Sequence, residues 1–282
     1  TDYFYRIFYI KKKNGRERQI KEPLTSLKEI QHWILNEILY KVPTSRFSKA
    51  YTPNKNLIEN IRFHRGQEVV INFDIKDFFP SIKEEYIYNI FKEFGYCTRV
   101  SLILAKLCCV GGVLPQGAPT SPYLSNIYLK SLDKNLSIYC IKNKIRYTRY
   151  ADDMTFSGNM NINDLFEVVK IEVLKKRLVI NSEKTKIMTK HIRQVVTGVV
   201  VNCKLQLPIE KRKQIRQAIY FIRKYGLESH LQKLNCSKAN YIKHLMGKVN
   251  YALFINPNDQ EIKLYKEFLL KLYLSSDVLS IN

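Results

Sequence analysis

Two adjacent acidic residues inside a β-patterned stretch place the first constraint on this chain. Arg146–Tyr150 and Met154–Ser157 both have the composition of strands, and the Ala151-Asp152-Asp153 segment joins them in a turn. Upstream, Val69-Val70-Ile71-Asn72-Phe73-Asp74 is a short apolar strand that also ends on an aspartate. Aspartate is depleted from strands because its short side chain competes for backbone hydrogen bonds. Three carboxylates at strand ends repel one another at short range, so something must hold them together. A pair of Mg2+ ions suits them, because hard cations take carboxylate oxygens and keep positions for substrate phosphates. Taken alone, an Asp-Asp pair is more often a turn former or a helix cap. The flanking residues decide.

Charge narrows the partners. Lys and Arg number 47 against 25 Asp and Glu, a net charge of +22 spread along the whole chain. Such self-repulsion disfavours compaction unless a polyanion neutralises it, and nucleic acid is the expected partner. An anionic membrane surface is the alternative. No basic amphipathic helix stands apart, and no apolar run approaches the roughly 18 residues of a membrane span. With 45% hydrophobic and 12% aromatic residues, the 282-residue chain is expected to fold. Six cysteines and five histidines show no CxxC, HxxxH or mixed metal spacing, which implies a reduced, cytosolic protein without zinc. The start has no signal-peptide pattern and no initiator Met, the expected look of a trimmed N-terminus.

Along the chain, Tyr5–Ile10 and Arg16–Lys21 read as a hairpin turning at Lys11–Gly15. Ser26-Leu27-Lys28-Glu29 is a capping-box pattern opening a helix that Pro43 ends. Lys83–Phe94, Thr98–Cys109, a long run from Pro119 or Thr120 to about Ile141, and Asp164–Lys176 read as helices. Thr185–Thr189 and Val195–Val201 read as strands. Beyond Pro208 the apolar period is helical almost to the end. A mixed α+β body followed by a helical C-terminal subdomain is the expected architecture.

Four segments then occur in order. Phe73-Asp74-Ile75-Lys76-Asp77-Phe78-Phe79-Pro80-Ser81-Ile82 resembles motif A of reverse transcriptases, and Leu114-Pro115-Gln116-Gly117-Ala118-Pro119-Thr120-Ser121-Pro122 resembles motif B. Tyr150-Ala151-Asp152-Asp153 resembles motif C, and Leu178-Val179-Ile180-Asn181-Ser182-Glu183-Lys184-Thr185-Lys186 resembles motif D. The resemblance implies a right-hand polymerase with an antiparallel palm sheet. Fingers would occupy 1–70, the palm 71–205 with a fingers insertion at about 83–113, and a helical, RNA-binding thumb 206–282. Asp74, Asp152, Asp153 and the Ile75 carbonyl become the ligands of two Mg2+ ions. Lys184 becomes the proton donor to the leaving pyrophosphate. Lys12 and Arg18 would grip the triphosphate of a dNTP, Phe79 would exclude a ribose 2′-hydroxyl, and Gln116-Gly117 would lie over the incoming sugar and base. Lys211, Arg212, Arg216, Arg223 and Lys224, interleaved with Tyr220, Phe221 and Tyr225, suit the backbone of a duplex.

Val196-Thr197-Gly198 resembles the Val-Thr-Gly signature of retron reverse transcriptases, and Asn60-Ile61-Arg62-Phe63-His64 keeps the Asn and His of a second retron element while replacing its Ala with Ile. The retron resemblance implies a bacterial, cytoplasmic enzyme without RNase H or maturase domains. It implies priming from the 2′-hydroxyl of a guanosine in a cognate structured non-coding RNA, which is copied into branched msDNA. It also implies an effector protein acting with it in anti-phage defence. Asn60, His64 and Val196–Gly198 would then contact that RNA. Other bacterial reverse transcriptases, an RNA-dependent RNA polymerase and a non-catalytic RNA-binding scaffold are the competing readings. Phe79 and the three retained carboxylates argue against the last two.

Overall fold

Alternating strand residues and helical apolar stripes resolve, in a computed structural model, into two compact units, 1–190 and 191–282. The structure describes residues 2–11, 15, 17–234 and 241–278. In the first unit a hairpin pairs β1 (Tyr5–Lys11) with β2 (Glu17–Pro23), Ile10 opposite Arg18. Helix α1 (Thr25–Glu37) follows. It starts one residue before Ser26 and has no side-chain cap, so the expected capping box is not used. Next come α2 (Leu57–Phe63), β3 (Val69–Asp74), α3 (Phe78–Ser81), α4 (Glu84–Glu93) and α5 (Thr98–Cys108).

The expected long helix from 119 or 120 is two: α6 (Ser121–Tyr128) and α7 (Lys130–Lys142). Leu129, fully buried with φ −85° and ψ 2°, breaks the run. Then come β4 (Arg146–Tyr150), β5 (Asp153–Gly158), α8 (Ile162–Lys175) and β6 (Lys186–Thr189). The central sheet has the order β4-β5-β3-β6 with every pair antiparallel. Ile71, Phe73, Tyr147, Met154 and Phe156 join the main hydrophobic cluster with residues of α1 and α4–α8. Burial of this surface, not helix propensity, holds the helices to the sheet.

The second unit opens with β7 (Val195–Val196) and β8 (Val199–Val200), an antiparallel hairpin where one strand over 195–201 was expected. Thr197 (φ 44°) and Gly198 (φ 81°) form its two-residue turn, and two positive φ values in succession match the hairpin turn that follows strand twist. Helices α9 (Ile209–Tyr225), α10 (Leu227–Lys233), α11 (Tyr241–Ile255) and α12 (Gln260–Val278) complete it. No helix among the described residues is long and apolar enough to cross a membrane.

Candidate active site

The sheet brings the three aspartates of the sequence together. Asp74, the last residue of β3, is the register partner of Asp153, the first residue of β5. Asp152 precedes it in the two-residue turn of the β4–β5 hairpin, where Ala151 has φ 60°. The Ile75 amide donates to the Asp152 carbonyl at 3.2 Å, which ties the end of β3 to that turn. Alternation supplies the rest: Met154 and Phe156 point into the core, and the acidic end of the hairpin stays outside it.

Residues 178–186 close one side. Ile75 bridges to Ile180, the Lys76 amide donates to the Val179 carbonyl at 2.8 Å, and the Asn181 amide donates to the Asp74 carbonyl at 2.7 Å. Lys184 Nζ then reaches both oxygens of the Asp74 carboxylate, at 2.8 and 3.1 Å, and Asn181 Nδ2 donates to one of them at 3.2 Å. That bond raises the Lys184 ammonium above its ordinary pKa. Burial, then the charges of Asp152 and Asp74, push the Asp153 carboxyl up to about 7. Burial also raises Asp152, with Asp74 adding to it and Lys184 and Arg18 opposing. Crowded carboxylates that resist ionising together are relieved by a bound cation. Their hard oxygen donors fit a divalent ion such as Mg2+. As they stand, no three Asp, Glu, His or Cys side chains among the described residues converge tightly enough to hold one ion.

The other expected residues fall around this centre or away from it. Arg18 is exposed on β2, within electrostatic reach of Asp152. Lys12 lies outside the described residues. Phe79 is half-buried in α3, its ring 5.1 Å from that of Phe78. The Gln116 carbonyl accepts from the Lys21 amide of β2 at 2.9 Å. Gly117 has φ 128°, and a Cβ there would lie 2.9 Å from the Lys21 carbonyl oxygen. The backbone of β2, the strand that carries Arg18, therefore packs directly on this glycine.

Burial and ion pairing engage several of the residues expected to contact RNA. Asn60 and His64 are fully buried. His64 Nδ1 meets Ser157 Oγ and its Nε2 meets Thr148 Oγ1, both at 2.7 Å, and Thr148 donates to Asn60 Oδ1. This pair therefore locks α2 onto β4 and β5 and does not face solvent. Val196 is buried too, so of the Val196-Thr197-Gly198 signature only the Thr197-Gly198 turn reaches the surface. On α9, Arg212 pairs with Asp259 and, at 2.8 Å, with Glu261, and Arg216 pairs with Glu261 at 2.8 Å. Both guanidiniums are engaged within their own unit, whereas Lys211 is exposed.

One cluster was not anticipated. Arg149, fully buried on β4, makes a two-bond pair with Asp133 of α7, Nε to Oδ1 and Nη2 to Oδ2, each 2.8 Å. Its Nη1 donates to Asn126 Oδ1 at 2.9 Å and to the Ala151 carbonyl at 3.0 Å. Tyr147 donates to Asp133 and Ser48 to Asn126, so four separate segments converge on the hairpin turn. A cation one residue before the Tyr-Ala-Asp-Asp run was the available signal; its carboxylate partner lay 16 residues away on a helix.

Comparison with known proteins agrees. Residues 10–246 match the family model described as reverse transcriptase (RNA-dependent DNA polymerase). The chain is 34% identical over 265 residues to the retron Ec86 reverse transcriptase of Escherichia coli, covering 91% of this chain and 78% of that one. It is 29% identical over 275 residues to the Escherichia coli retron Ec83 reverse transcriptase, covering 90% and 83%. Among solved structures, a foamy viral protease–reverse transcriptase with double-stranded DNA superposes with TM-score 0.53 at 15% identity, over 95% of this chain and 43% of that one. Telomerase from Candida albicans with a telomeric RNA fragment gives 0.52 at 12%, over 94% and 54%. These two share the fold. Nucleic acid, including an RNA template, is the partner of this family, and its members depend on a divalent metal. The chain belongs to the reverse transcriptases, in their retron branch, and is an RNA-directed DNA polymerase.

Proposed function

We propose that this polymerase copies a cognate structured non-coding RNA into branched msDNA, extending from the 2′-hydroxyl of a guanosine in that RNA. The observation that carries the site assignment is the β3–β5 register, which sets Asp74 beside Asp153 with Asp152 in the adjoining turn. Asp74, Asp152, Asp153 and the Ile75 carbonyl would hold two Mg2+ ions. When bound, these supply charge neutralisation at the attacking hydroxyl and the departing pyrophosphate. The chain's own groups do the remainder. Lys184 Nζ, already protonated beside Asp74, would give its proton to the leaving pyrophosphate oxygen. Arg18, with Lys12, would take the triphosphate through paired donors. Phe79 would leave no room for a ribose 2′-hydroxyl, which selects dNTPs, and Gln116-Gly117 would cover the sugar.

In this reading residues 1–70 are fingers, 71–205 palm with the insertion at about 83–113, and 206–282 thumb. The compact-unit boundary at 190/191 puts the β7–β8 hairpin with the helices that follow. Exposed cations of α9 such as Lys211, with the Thr197-Gly198 turn, would select the RNA stem-loop by shape and backbone. A bacterial cytoplasmic setting and an effector protein of the same anti-phage system as partner belong to the same proposal, and the retron Ec86 relative comes from a bacterium. The test is Asp152→Asn. It should lower cDNA synthesis on an RNA template by on the order of a thousandfold, while RNA affinity and its steep salt dependence survive. Undiminished cDNA would refute the site, and a product lacking a 2′-branched linkage would refute the msDNA assignment.

A further inference from the structure

Beside the catalytic hairpin lies a segment to which no role has been attached. Ser48 bridges Arg149 in parallel, with the Arg149 amide donating to the Phe47 carbonyl at 2.9 Å and the Lys49 amide to the Arg149 carbonyl at 2.8 Å. Residues 47–49 thus cover the edge of the sheet at β4. Tyr51 follows three residues after Ser48, and its phenol lies within electrostatic reach of Asp152 and Tyr150. The stem is fixed from below. Ala50 is 2% exposed, and its carbonyl accepts from Asn126 Nδ2 at 2.8 Å and from Thr52 Oγ1 at 3.2 Å. Asn126 is the residue that also binds Arg149 and, through it, the Ala151 carbonyl. One amide side chain therefore ties the backbone under Tyr51 to the turn bearing Asp152.

Tyr51 itself is 47% exposed and has φ 58°. A bulky L-residue rarely adopts the left-handed region, and strain of this kind persists only where its surroundings impose it. Burial, then Asp152 and Tyr150, raise the Tyr51 phenol above its ordinary pKa while Arg18 lowers it, so the phenol is within electrostatic reach of both the carboxylates and the β1–β2 hairpin.

We infer that Tyr51 is a substrate-contacting residue whose ring packs against the incoming nucleotide. A half-exposed aromatic ring within electrostatic reach of a guanidinium and of the carboxylate centre suits a nucleotide, whose triphosphate goes to the cation and whose base or sugar goes to the ring. The inference rests on the site reading above. Steady-state incorporation of one dNTP on a defined template–primer separates the two. Tyr51→Ala should raise the dNTP KM about tenfold, with kcat within about threefold, template–primer Kd unchanged and Tm unchanged. Tyr51→Gly should raise KM equally while keeping or raising Tm, because glycine accepts the positive φ. Tyr51→Phe, which keeps the ring, should restore the wild-type KM. An unchanged KM in the Ala and Gly variants overturns the inference, as does weaker template–primer binding at constant KM. If Asp152→Asn stays active the site reading itself falls, whatever Tyr51 does.

Discussion

Two tight hairpins in this molecule were each marked by a short sequence motif, and they serve different ends. The β4–β5 turn places Ala151 at φ 60°, and the β7–β8 turn places Thr197 at φ 44°. Both store the cost of an L-residue in a left-handed conformation. Around the first stand two carboxylates pushed upward in pKa, a lysine on Asp74, and a buried arginine whose ion pair is wholly desolvated. Val196, Val199 and Val200 flank the second and are all buried. A motif therefore reports a backbone conformation. Chemistry follows only where distant elements bring charge to it.

The comparison can be broken at several strengths. The largest effect is the Asp152→Asn loss of synthesis, set against Thr197→Ala, which should leave incorporation on a generic template–primer unchanged; equal losses would erase the distinction between the hairpins. Next is Asp133→Asn. It leaves the Arg149 guanidinium buried without its counter-charge, and unfolding in urea should show a loss of about 3–5 kcal/mol. A change below about 1 kcal/mol would mean that the pair does not hold the turn.

A smaller effect concerns pH. Burial, with Arg146 adding, lowers His64 from 6.5 to about 3. The unfolded chain binds a proton below about 6.5 and the folded one does not, so this contribution is complete above that pH. It is lost progressively as pH falls toward 3. At pH 4.5 the wild type should have lost about 3 kcal/mol from this residue. His64→Gln should flatten that part of the curve, and an unchanged acid slope would contradict the burial account. Smallest of all, Ala151→Gly and Thr197→Gly should each stabilise by about 1 kcal/mol as the positive φ is relieved. Destabilisation by either would show that its side chain, and not its backbone, is what the turn needs.

Much of the centre was legible because its signals are local. An aspartate ending an apolar strand and a second pair in a turn between strands are visible within a few residues, and so is the period of most helices. What stayed hidden depended on long-range partners. Asn60 and His64 look like surface polar groups until Thr148 and Ser157 arrive from 84 to 93 residues away to satisfy them. Arg212 and Arg216 look free until Asp259 and Glu261 meet them across 45 to 49 residues. The break at Leu129 carries neither proline nor glycine, so only the packing of a fully buried side chain records it. Gln116-Gly117 was expected over the incoming sugar and base, and sequence could not say that the Lys21 backbone packs directly on Gly117.

The account stands on the carboxylates of β3 and the β4–β5 turn acting as one cation site. Mn2+ binding followed by electron paramagnetic resonance, without any nucleotide, measures that directly. The wild-type protein should bind Mn2+, and Asp74→Asn and Asp152→Asn should each abolish or severely weaken binding while remaining folded. Undiminished Mn2+ binding by both variants would contradict the assignment.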